Sequence, residues 1–127
     1  MADYPIRIRT GIEDRVISEA RRSAKDNLNN PSLAREVHLE VHLSNTVNEL
    51  SDLLLSKHKD YGAKNISQAP GGPINGLRVR MHDKLARISN LVDSGADPQH
   101  ESLEDSFKDM ANYAIIGLLV LRGQWDK

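Results

Sequence analysis

Apolar residues recur along this chain at intervals of three and four, the period of a helix with one buried face. The pattern breaks at Asn29-Asn30-Pro31, at Ala69-Pro70-Gly71-Gly72-Pro73 and at Ser94-Gly95-Ala96-Asp97-Pro98, all rich in turn residues. Four segments result. In the first, about Gly11 to Leu28, Ile12, Val16, Ala20 and Ala24 are spaced by four. Before it, Ile6-Arg7-Ile8-Arg9 alternates, as a short strand or an extended arm would. The second opens on Asn30 as a cap and Pro31 as a first helical residue. Leu39, Leu43, Val47, Leu50 and Leu54 then form one stripe. Val37, Leu39, Val41 and Leu43 also alternate with polar residues, but the stripe runs on in register through Val47, which favours helix. Gly62 is the expected left-handed stop. The third segment, about Asn75 to Ser94, aligns Leu77, Met81, Leu85, Ile88 and Val92. The fourth, about Glu101 to Arg122, aligns Leu103, Phe107, Met110, Ala114 and Leu118, and Gly123 ends it. The expected fold is all-α: one compact domain, a bundle of about four helices.

Composition narrows the function. The 127 residues carry 17 basic and 18 acidic side chains, so bulk charge implies no strong nonspecific grip on nucleic acid or anionic lipid. There is no cysteine, which removes disulfides, thiol nucleophiles and zinc-thiolate sites. The longest apolar run, Ala114 to Leu121, falls far short of the ~18 residues of a membrane span. A cytoplasmic protein is expected. Sequences of the forms GxxxxGK[ST], GxGxxG and GxSxG are absent. The Gly/Pro loop reads as a spacer or lid, because prolines remove the amide donors that a phosphate-cradling loop needs.

The informative positions are polar residues where packing would place apolar ones. Asp105, Asp109 and Asn112 share a narrow stripe of the fourth helix that continues into Ile116, Leu119 and Val120. That half of the helix is apolar on both sides, which marks packing on two faces. Bare carboxylates are costly to bury, and a divalent cation or a basic partner is the usual remedy. Lys84 lies inside the apolar stripe of the third helix, with Arg80 and Arg87 on its margin. Either Lys84 reaches out to water, or Lys84 and Arg87 face an anionic ligand or the acidic cluster. On the second helix Glu49 and Asp52 are three apart and can reach one ion from one face; the plainer reading is a solvated flank. Oxygen ligands of this kind suit Mg2+ or Mn2+. Asp60, Tyr61 and Asn65 stand where the long helix ends and can turn into the mouth of the bundle. His38 and His42 are four apart, but Glu40 is one residue late for the zinc-protease pattern.

Three ordered blocks carry a family resemblance: Lys57-His58-Lys59-Asp60-Tyr61-Gly62, Asp83-Lys84-Leu85-Ala86-Arg87-Ile88, and Glu101-Ser102 with Asp105 and Asp109-Met110-Ala111-Asn112-Tyr113-Ala114. From about Thr46 to Leu121 the chain resembles the phage-associated family called nucleotide modification associated domain 1. More distantly it is similar to the MazG-like all-α nucleotide pyrophosphohydrolases. That resemblance implies Mg2+ held by Glu49, Asp52, Asp105 and Asp109, and hydrolysis of a nucleoside triphosphate to monophosphate and pyrophosphate. Glu49 and Asp109 would then be catalytic, with Lys84 neutralising developing charge. Asp60, Tyr61, Asn65, Lys84, Arg87 and Asn112 would contact the nucleotide. The acidic motifs are sparser than those enzymes carry, which keeps open a nucleotide-binding module without chemistry. A helical interaction protein is the third reading. The expected partners are a nucleotide or nucleotide-derived small molecule and further copies of the chain, with no membrane.

Overall fold

The structure, a computed structural model, describes Arg15 and residues 31–126. The described residues form four helices and no strand: α1 (Pro31–Tyr61), α2 (Lys64–Ser67), α3 (Pro73–Ser94) and α4 (Leu103–Leu121). The helices expected for the second, third and fourth segments are all present. The alternation at Val37 to Leu43 is helical. The short α2 was not anticipated. The first expected helix and the Ile6-Arg7-Ile8-Arg9 segment lie outside the described residues, apart from Arg15. No described helix is long and apolar enough to cross a membrane.

The chain divides into two compact units, residues 1–49 and 50–127. In the first, Ser44 and Asn48 are the buried positions of α1, and Arg15 pairs with Glu40 at 2.5 Å. Leu39, Leu43 and Val47, three of the five residues of the stripe read from the sequence, are exposed.

The second unit holds the end of α1, then α2, α3 and α4. Its core is small. Ile66, Leu77 and Ile116 are buried to 3%, 3% and 7% exposure, and Leu54, Tyr113, Val120 and Trp125 pack around them. The principal packing is α3 on α4, with α2 against α3. Gly117 on α4 faces Leu77: a Cβ at Gly117 would stand 3.9 Å from the leucine's Cδ1. At Gly76 the chain passes so close to Ala69 that a Cβ would lie 2.5 Å from the alanine's own.

The helix ends follow the sequence. Gly62 is left-handed (φ 70°), and its N–H donates to the His58 carbonyl at 2.8 Å. Gly95 ends α3 in the same conformation. Ala69-Pro70-Gly71-Gly72 forms a tight turn closed by the Gly72 N–H on the Ala69 carbonyl at 2.9 Å. Gly71 (φ 79°) sits where a type II turn demands a positive φ. Gly72 then caps α3 and Pro73 opens it. The Gly/Pro segment is therefore a tight turn that leads directly into α3. Ser102 and Asp105 form a reciprocal capping box at the start of α4.

Burial on α4 corrects one expectation about faces. The apolar row containing Phe107, Ala114 and Leu118 faces outward: Phe107 is 57% exposed and Leu118 50%. The inward face is Ser106, Asp109, Asn112 and Ile116. The described elements cover α4 on one side only, and that side is the polar one at its N-terminal half.

Candidate functional site

The inward face of α4 opens into a cleft of about 290 Å³ within the second unit. That is near the small end of ligand pockets. Five segments of the chain meet there. The last turns of α1 supply Leu54, Lys57, His58 and Tyr61, and α2 supplies Asn65 and Ile66. From α3 come Arg80 and Lys84, and from α4 Asp109, Asn112, Tyr113 and Ile116. Trp125 folds back from the C-terminal turn to complete the wall. Its indole N–H donates to the Ala63 carbonyl at 3.1 Å, and its ring meets His58 edge-on at 5.0 Å.

Asp109 is the electrostatic centre, 8% exposed. Lys57 Nζ reaches Oδ1 at 2.6 Å and Lys84 Nζ reaches Oδ2 at 3.0 Å. Lys84 also donates to both Glu101 oxygens at 2.8 Å. Arg87 pairs with the same carboxylate at 3.3 Å and donates to the Glu101 carbonyl. Lysine on the apolar stripe of α3 is thus explained: its ammonium joins two carboxylates from α4 and the loop before it. Arg80 donates to the Asn65 carbonyl at 3.4 Å. Lys57, Arg80 and Lys84 against Asp109 leave the lining with two positive charges in excess, an arrangement suited to an anion.

Burial alone would raise the Asp109 pKa, but the hydrogen bonds from Lys57 and Lys84 outweigh it and hold the carboxyl below its ordinary value. For Lys84 burial acts to lower the pKa; the bonds to Glu101 and then Asp109 prevail and hold it above its ordinary value. The signs fix a stability profile. A depressed carboxyl contributes stability above its ordinary pKa of about 3.9, lost as pH falls through the lowered value. A raised ammonium contributes below about 10.4, lost as pH rises through the raised value. Denaturant melts should therefore show stability falling below about pH 4, and Asp109→Asn should flatten that acid limb.

Of the residues named from the sequence, Tyr61, Asn65, Lys84, Asp109 and Asn112 line the cleft together. Arg87 is not among the lining residues and pairs with Glu101. Asp60 and Asp52 are exposed and do not line it. Asp105 shares a face with Asp109 but sits at the third position of α4, where unpaired amides draw its carboxylate back to Ser102 N–H at 3.2 Å. Hydrogen bonding to Ser102 holds its pKa below the ordinary value. Glu49 belongs to the other unit. His38 and His42 are both exposed. Among the described residues, no three His, Asp or Glu side chains are grouped to hold a metal ion.

Sequence reasoning missed Lys57 and Trp125 as lining residues and Ser106 as a buried one. Lys57 stands in the first family-like block, and Trp125 is the chain's only tryptophan; Ser106 carries no sequence signal beyond its place three residues before Asp109. No curated protein and no solved structure matches the chain. Residues 57–121, which include all four charged groups of the cleft, match the family described as nucleotide modification associated domain 1. That match covers 65 of the 127 residues, and the chain belongs to this family.

Proposed function

We propose that the cleft binds a nucleotide, with its phosphates on the basic side chains and its base against the aromatic wall. The observation that carries this reading is the excess of cations around a single shielded carboxylate. All three donors of Lys84 are engaged by Glu101 and Asp109, so it acts on an anion mainly through its charge. Arg80 and Lys57 have donors beyond those bonds and are the direct phosphate ligands. Tyr61, Tyr113 and Trp125 offer surfaces on which a base can stack. The family's description supports a role connected with nucleotides.

Hydrolysis of a triphosphate to monophosphate and pyrophosphate, assisted by Mg2+, is a further proposal on the same cleft. Asp109 is the carboxylate that would meet a cation beside bound phosphates. Asp52 and Asp105 do not line the cleft with it, so no catalytic step follows from this geometry. A carboxyl held ionised below its usual range is also a weak general base. Binding is therefore the reading the geometry favours. The test is calorimetric titration with deoxynucleoside triphosphates and inorganic triphosphate, with and without Mg2+, alongside a pyrophosphate-release assay. Binding without release supports a binding module; release that needs Mg2+ and Asp109 supports the hydrolase; no binding of any of these anions overturns both.

The outward row of Phe107, Leu118 and Leu121 on α4 supports assembly with a second copy, since isologous contact would cover it. Light scattering should report a dimer or higher oligomer, and Phe107→Glu with Leu118→Glu should shift it to monomer.

A further inference from the structure

Asn112 is 5% exposed and lines the cleft, yet neither its Nδ2 nor its Oδ1 has a hydrogen-bond partner among the described residues. Asn65, on the opposite element α2, contributes a third such atom, its buried Oδ1. Buried polar groups are nearly always paired, and an unpaired amide is costly to keep. A leucine would fill the same space on this face of α4, which already continues into Ile116. The amide therefore fits a bound molecule better than it fits the bundle.

Resting on the nucleotide-binding reading above, we propose that Asn112 and Asn65 read the base, and that they select bases bearing an exocyclic amino group. The inventory of unpaired atoms sets the choice. Two carbonyl oxygens need donors from the ligand, and one amide NH2 needs an acceptor. Adenine and cytosine supply two amino hydrogens beside a ring nitrogen acceptor. Guanine supplies a ring N–H and an amino group beside its carbonyl. Thymine and uracil carry a single ring N–H donor and leave one asparagine oxygen unpaired. An amide meeting an adenine edge through both its atoms is the familiar form of this recognition. Lys57 and Arg80 hold the phosphates in either case, so base reading and anion binding are separable.

The experiment compares the whole protein with Asn112→Leu and Asn112→Ala, titrating inorganic triphosphate and the deoxynucleoside triphosphates of adenine, cytosine, guanine and thymine. In the native protein at least one amino-bearing nucleotide should bind roughly tenfold or more tighter than both the thymine nucleotide and triphosphate, the scale of an unpaired buried polar group. Both variants should lose that margin and keep the affinity for triphosphate. Asn112→Leu should also raise Tm without ligand, because it removes an unpaired buried amide; a purely structural asparagine would move Tm the other way. Equal affinity for thymine and amino-bearing nucleotides overturns the inference, as does a margin that survives in the variants, and both leave anion binding in the cleft standing. Failure of the native protein to bind triphosphate or any nucleotide overturns the inference together with the reading beneath it.

Discussion

Arg80→Met should weaken binding of inorganic triphosphate by roughly thirtyfold, about 2 kcal/mol, with little change in fold. Methionine keeps the aliphatic reach of the side chain and removes the charge and all five donors. Among the described residues, the one bond lost is the long contact to the Asn65 carbonyl. Arg80→Lys should recover only part of the affinity, because an ammonium cannot grip a phosphate with two parallel bonds. Lys57→Met should cost less, since that side chain is 48% exposed and screened by solvent. Lys84→Met should behave differently from both. It strips one cation from Asp109 and from Glu101 together, so Tm falls along with affinity. Calorimetry and thermal melts on the three variants separate direct ligands from the residue that holds the carboxylates. Equal affinity in Arg80→Met and the native protein would remove the anion site from this cleft.

Leu77→Ala is expected to have the largest effect on stability, about 3 kcal/mol. Among its described residues the second unit has three buried large apolar side chains, and Leu77 is the one at which α3 meets Gly117 of α4. Few neighbours can move in to fill the space, so the cavity term is added in full to the lost transfer energy. For a unit of this size the shift in Tm is roughly 10–20 °C. Leu77→Met, which conserves volume, should cost less than ~1.5 kcal/mol. A small Tm change in Leu77→Ala would show that the helix pair is held by something other than this contact.

The helices were legible because their period, caps and stops are local. Pro31, Gly62, Gly95 and Gly123 act through φ preferences, and each stands at or beside an observed helix end. Lys84 on an apolar stripe and Asp109 on another were visible as violations of the pattern, and they prove to be partners. For Asp105, angular position on a helical wheel says nothing about position along the axis. At the third residue of α4 the nearest unpaired donor is the backbone of Ser102. The acidic pair Glu49 and Asp52 carries a second ambiguity. Three-residue spacing guarantees a shared face but not that the face looks into a cleft. The stripes of α1 and α4 share a further ambiguity, because apolar spacing marks a face that seeks cover and does not name what covers it.

By itself the sequence determined the helical character of the described residues, the ends of the long helices, the absence of thiol chemistry and the need of a carboxylate on an inward face for a partner. These follow from backbone sterics, periodicity and the cost of desolvation, which act over one or two turns. The tertiary structure alone decided that the row of Phe107 and Leu118 faces outward, that Lys57, Arg80 and Trp125 join Asp109 around one cleft, and that the Asn112 amide has no partner among the described residues. Those depend on how helices far apart in sequence are set against one another, and a spacing along one helix carries no information about the distance to the next.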